Sequence, residues 1–152
     1  VVEPGSINDD IVSNLDFAET FIDIAGASIP GDMQGRSLLP ILKGNTPADW
    51  RKTFYYHYYE FPGAHSVARH YGVTDGNYKL IHFYENQDWE MFDLTADPKE
   101  MRSIHGRKEY AGIQVRLEKE LNRLRKHYSV PAKDPDSNRA KQRRNRQNNR
   151  KK

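Results

Sequence analysis

Residues 4–10 are loop-like, with Pro4-Gly5 followed by Asn8-Asp9-Asp10. A 3.6-residue period then begins. Leu15, Ala18, Ile22 and Ala25 fall on one face of a helix predicted over residues 14–25, and Phe17, Phe21 and Ile24 widen that face. Ser13 is placed to cap it, Asp16 stands at the third helical position of a near capping box, and Gly26 stops it. A helix this apolar needs cover on most sides, and the rest of the chain offers few elements to supply it. A second, short helical turn is predicted over residues 38–42, capped by Ser37, with Pro40 tolerated in the first turn and Gly44 as the stop.

From residue 53 the period changes to two. Residues 53–60, rich in aromatic β-formers, read as a strand that Phe61-Pro62-Gly63-Ala64 breaks. Strands over 66–74 and 77–84 flank Asp75-Gly76, a pair suited to the positive φ angles of a type I′ turn. A fourth strand is predicted over 89–94, and Asp97-Pro98 marks another turn. Near Lys108 the helical period returns. Tyr110, Ile113, Leu117, Leu121, Leu124 and Tyr128 form one stripe, with Glu118, Arg123 and Arg125 off it, and Pro131 ends the helix. The product is an α+β unit: a small four-stranded antiparallel sheet packed by a long C-terminal helix, preceded by a separate buried helix.

Composition sharpens this picture at one place. Hydrophobic residues make up 36% of the chain and charged residues 30%, but the charge is unevenly spread. Residues 131–152 carry nine of the 24 Lys/Arg and two of the 21 Asp/Glu, which leaves the first 130 residues with 15 basic and 19 acidic side chains. The net charge of +3 therefore comes from a polar, basic tail over 131–152, predicted to be disordered. The chain has no cysteine, which excludes disulfides and thiolate metal sites. No apolar run is long enough to predict a membrane span. The opening Val1-Val2-Glu3-Pro4-Gly5-Ser6, without an initiator Met, reads as a start inside a longer protein, so the lack of a signal peptide says nothing about localisation.

Five blocks carry a family resemblance through their order and spacing. They are Ser13-Asn14-Leu15-Asp16 with Phe21-Ile22-Asp23-Ile24-Ala25-Gly26; Gly35-Arg36-Ser37-Leu38-Leu39-Pro40-Ile41-Leu42; His70-Tyr71-Gly72-Val73; Tyr78-Lys79-Leu80-Ile81; and Glu90-Met91-Phe92-Asp93-Leu94 with Asp97-Pro98-Lys99-Glu100. Together they resemble the C-terminal portion of type I (formylglycine-dependent) sulfatases, of the N-sulfoglucosamine sulfohydrolase-like or polysaccharide sulfatase kind. Thr74 stands where many relatives have Arg, and Ser103 where many have Asn.

The resemblance implies a parent enzyme that hydrolyses sulfate esters or sulfamates on sulfated saccharides. Residues 1–50 would be the C-terminal edge of an alkaline-phosphatase-like α/β catalytic domain, and 51–130 the C-terminal subdomain. The parent would use formylglycine and calcium, both held by a missing N-terminal catalytic domain, and a periplasmic or extracellular location is expected from the family. Ser28-Ile29-Pro30-Gly31-Asp32 begins like the serine version of the formylglycine motif but ends in Asp rather than Arg, so no catalytic residue, cofactor or metal ligand is assigned in this chain.

The residues proposed to bind substrate are His65, Arg69 and His70. His65 follows the loop at Pro62-Gly63, where binding residues concentrate, and cationic or imidazole donors suit sulfate oxygens and sugar hydroxyls. In the resembling enzymes this subdomain leans over the catalytic pocket. Two other readings compete: a non-catalytic carbohydrate- or polyanion-binding module, and nucleic-acid binding through the basic tail. The tail lacks any aromatic residue, which argues against specific reading of bases.

Overall fold

The computed structural model describes residues 2–61 and 65–134. The chain divides into two compact units, residues 1–53 and 54–152. The tail expected over 131–152 lies outside the described residues from position 135 onward.

The first unit holds helix α1 (Asp16–Ile24) and the single turn α2 (Leu39–Leu42). Half of the capping box forms. The Asp16 carboxylate accepts from the Ser13 backbone N–H at 2.7 Å, while the Ser13 hydroxyl takes the N–H of Leu15. The face that α1 buries within its own unit is the polar one: Asp16, Glu19 and Thr20 are buried. These side chains, with Asp23 one turn on, tie down the segment 35–38. Glu19 accepts from the Gly35 N–H, Asp16 from the Arg36 N–H, Thr20 from the Leu38 N–H, and Asp23 from the Ser37 hydroxyl. Leu15, Phe17, Phe21 and Ile24, expected to need cover, stand 51–68% exposed. Helical geometry makes the two faces exclusive: positions 16, 19, 20 and 23 recur on one stripe, and the phenylalanines occupy the others.

The second unit is an antiparallel meander, β1 (Phe54–Tyr58), β2 (His70–Thr74), β3 (Tyr78–Phe83) and β4 (Asp88–Asp93), in that spatial order. A 3₁₀ turn at Lys108–Tyr110 leads into α3 (Ala111–His127). Register sets Val73 beside Leu80 and Leu80 beside Met91. This row packs against Leu117, Leu121 and Leu124 of α3, with Ile104 closing the core. The β2–β3 turn departs from the expected geometry, because only Gly76 takes a positive φ, +88°. Asp75 contributes its carboxylate instead, accepting from the N–H groups of Asn77 and Tyr78 and pairing with Arg116. Glycine is also required at position 72, where a Cβ would lie 2.6 Å from the Tyr56 hydroxyl and from the Leu80 carbonyl.

Candidate functional site

Alternation along the strands sorts the aromatic residues onto two faces. Away from α3, the His70 ring stacks on Tyr58 at 5.4 Å and meets Tyr56 and Phe83 edge-on or tilted. Its Nδ1 is bonded to the Ala68 carbonyl at 2.8 Å. The Tyr56 and Tyr58 hydroxyls on this face are buried without a hydrogen-bond partner. On the α3 face, Tyr71 stacks on Tyr84 at 5.4 Å, His82 on Trp89 at 3.9 Å, and His57 on Tyr59 at 3.7 Å.

A cavity of about 510 Å³ opens on the α3 face, between the β1–β2–β3 strand ends, the end of α3 and residues 131–134. Two guanidinium groups reach it. Arg125 lies over the Tyr71 ring, 4.2 Å from its centroid, and donates to the Tyr71 hydroxyl at 3.0 Å. Arg69 donates to the Phe61 carbonyl at 2.9 Å and stands 3.6 Å from both Glu85 and Asp134. The Asp134 carboxylate also accepts from the Tyr84 hydroxyl at 2.5 Å and lies 3.7 Å from His57 Nε2.

Burial dominates the titration of this cluster. It pushes the His57 and His82 pKa values below the ordinary imidazole value; Asp134 pulls His57 partly back up, and Arg125 pushes both rings further down. Both rings are therefore neutral at pH 7, each able to donate one hydrogen bond and accept another. Burial raises the Tyr71 hydroxyl, against the pull of Arg125; it raises Tyr84 strongly, reinforced by the bond to Asp134. On the same face burial pushes Tyr55 up to about 12. The phenols thus stay protonated and act as donors.

The three proposed substrate residues are separated. Arg69 lines the cavity, His70 belongs to the opposite face of the sheet, and His65 is exposed in the preceding loop. The strand period could have revealed His57, Tyr71, His82 and Tyr84 as a set, because they occupy one face. Arg125 lies off the apolar stripe of the sequence, yet it follows Leu117 and Leu121 at four-residue steps and turns toward the sheet. Asp134 carried no signal in a segment read as solvated tail.

Among the described residues no group of three or more His, Asp or Glu side chains is arranged to hold a metal ion. Asp10 is engaged by the Thr46 hydroxyl and the Asn8 amide. The described residues do not form a site that fits calcium. No helix among the described residues is long and apolar enough to cross a membrane.

Residues 1–127 match the family described as N-sulphoglucosamine sulphohydrolase, C-terminal. The chain is 51% identical over 138 residues to an N-acetylglucosamine-6-O-sulfatase of Bacteroides thetaiotaomicron, covering 89% of this chain and 24% of that protein. It is 32% identical over 129 residues to arylsulfatase K of Rattus norvegicus, covering 80% and 22%. A solved structure in complex with its substrate, D-glucosamine-2-N,6-O-disulfate, matches with TM-score 0.82 and 49% identity over 90% of this chain and 28% of that one. A phosphonate monoester hydrolase from Silicibacter pomeroyi shares the fold, with TM-score 0.71 and 24% identity over 84% and 27%. The α+β fold and these matches define a C-terminal portion of the sulfatase class. The chain belongs to the N-sulphoglucosamine sulphohydrolase C-terminal family. It spans about a quarter of the length of the curated relatives it matches.

Proposed function

We propose that this chain is the C-terminal part of an enzyme that hydrolyses sulfate esters, or sulfamates, on sulfated saccharides, with 6-O-sulfated glucosamine as the first substrate to test. Its part is to support the fold and to line the substrate pocket. The observation that carries this reading is the 51% identity over 138 residues to an N-acetylglucosamine-6-O-sulfatase. Residues 1–50 would complete the edge of the catalytic domain, and 51–130 would form the C-terminal subdomain. The exposed apolar face of α1 supports that division, since Phe17, Phe21 and Ile24 lack cover within the described residues. Formylglycine and calcium would belong to the remainder of the enzyme.

His65 remains the proposed sugar contact, being exposed in a loop. His70 is engaged in packing and would act mainly by shaping its face of the sheet. The test uses the longer enzyme that contains this chain. His65→Ala should lower kcat/KM for the sulfated saccharide by about ten- to a hundredfold, the loss of one or two hydrogen bonds. A small aryl sulfate, which has no sugar hydroxyls, should be turned over nearly as well by the variant as by wild type. The 152-residue chain alone should turn over neither substrate. Turnover by the purified chain alone would overturn the proposed division of labour. Equal losses on both substrates would remove His65 from the sugar subsite.

A further inference from the structure

We infer that the cavity between β1–β3 and the end of α3 is a binding site for a single sulfate or carboxylate group, and that Asp134 is an internal carboxylate closing its rim. Three nitrogens on this cavity are buried with no hydrogen-bond partner among the described residues: Arg69 Nε, Arg125 Nε and His82 Nε2. All three belong to groups that supply donors. The two guanidinium Nε atoms carry a proton at any ordinary pH. For His82 the neighbouring bonds set the tautomer. The Tyr71 oxygen accepts from Arg125 at 3.0 Å, so its own hydrogen is available to His82 Nδ1 at 2.8 Å. That leaves the imidazole proton on Nε2, in a side chain only 8% exposed.

A buried donor without an acceptor is costly, and a partly buried guanidinium without a carboxylate is more so. Arg125 pairs with no carboxylate among the described residues; it lies over the Tyr71 ring, donates to the Tyr71 hydroxyl and acts on the Tyr55 hydroxyl, all uncharged groups. Arg69 donates to the Phe61 carbonyl, and its approaches to the Glu85 and Asp134 carboxylates are long, 3.6 Å each. Two underpaired cations and an imidazole N–H around one cavity match the oxygens of a tetrahedral sulfate or a planar carboxylate. Asp134 already meets part of this demand through Tyr84 and its approach to Arg69. It lies beyond the end of α3 at His127, outside any helix or strand, so it can leave without disturbing one. An incoming anion would replace it at Arg69 and reach Arg125 and His82, which Asp134 does not bond.

The site is defined by its own geometry. Its link to a sulfated saccharide rests on the function proposed above, and the test keeps the two apart. The full chain, labelled for detection of its imidazole resonances, is titrated with inorganic sulfate, glucosamine 6-sulfate and glucuronate in parallel. At least one of the three should shift the His82 signals saturably, and the arm that does so names the source of the anion. Arg125→Gln should weaken that binding by about tenfold or more. Asp134→Asn, which removes the internal competitor at the half-buried rim, should tighten it by about three- to tenfold. Reading the signal at His82 keeps the basic segment beyond residue 134 from contributing. The inference is overturned if no anion moves the His82 signals, or if Asp134→Asn leaves the affinity unchanged or weaker. Neither result bears on whether the longer enzyme is a sulfatase, which turnover decides.

Discussion

Replacing Arg51 with methionine should lower the stability of the unit formed by residues 1–53 by about 3–5 kcal/mol. The Asp16 carboxylate is fully buried and takes two 2.5 Å bonds from the Arg51 guanidinium, one to each oxygen. Backbone N–H groups of Ser13 and Arg36 supply the rest of its coordination. Removing Arg51 strands a charge that water does not reach. The double variant Asp16→Asn, Arg51→Met should be less damaging than Arg51→Met alone, because the stranded charge is gone. The read-out is urea unfolding followed by Trp50 fluorescence in a Trp89→Phe background. Trp50 is 3% exposed, has the Arg36 and Arg51 guanidiniums 4.7 and 4.9 Å from its ring centroid, and donates its indole N–H to the Ile11 carbonyl. A double variant as damaged as the sum of its single variants would contradict the pairing.

The same carboxylate gives this unit an acid limit. Burial alone would raise the Asp16 pKa, but the bonds from Arg51 and from the Arg36 and Ser13 backbone outweigh it and hold the value below the ordinary 3.8. A depressed folded-state pKa means that the unfolded chain binds the proton more readily. The stabilisation is therefore complete above the unfolded value and is lost as pH falls through the lower, folded one. Wild type should lose unit stability in acid below about pH 4, and Arg51→Met should show a smaller loss over that range.

The second large effect is expected in the other unit. Leu121→Ala should cost about 2–5 kcal/mol, the range for deleting a buried leucine side chain from a packed core. Leu121 is 1% exposed and Leu117 fully buried, and both pack with Leu80 and Met91 across the helix–sheet interface. Val115→Ala, on the outer side of α3 at 63% exposure, should change stability by no more than about 0.5 kcal/mol. Trp89 fluorescence in a Trp50→Phe background reports on this unit, since its indole stacks on His82. Similar losses at the two positions would mean that α3 does not pack through the Leu117–Leu121 stripe.

Most of the second unit was legible because its patterns are local. The period of two, the Asp75-Gly76 turn and the leucine stripe each predict an element within a few residues of its observed ends. The first unit was harder to read for a physical reason. A helix with two useful faces does not announce which one its own chain will bury. The apolar residues of α1 dominate the pattern, while Asp16 is legible only as part of a cap and Glu19, Thr20 and Asp23 carry no signal. The structure uses them to satisfy the backbone N–H groups of segment 35–38, a need that no periodicity reveals. The cavity cluster was missed differently. His57, His82 and Arg125 come from separate strands and a helix, and only the register Tyr71–His82 and the four-residue step from Leu121 to Arg125 bring them together.

The central claim is that this chain is a working C-terminal part of a saccharide sulfatase, and the most direct measurement is kcat/KM of a graft. In the Bacteroides thetaiotaomicron N-acetylglucosamine-6-O-sulfatase, the portion aligned over 138 residues is replaced by this chain. The graft should desulfate 6-O-sulfated N-acetylglucosamine within about tenfold of the unmodified enzyme, while the enzyme lacking that portion should be inactive. A folded graft that turns over an aryl sulfate but has lost the saccharide by about a thousandfold or more would contradict the claim.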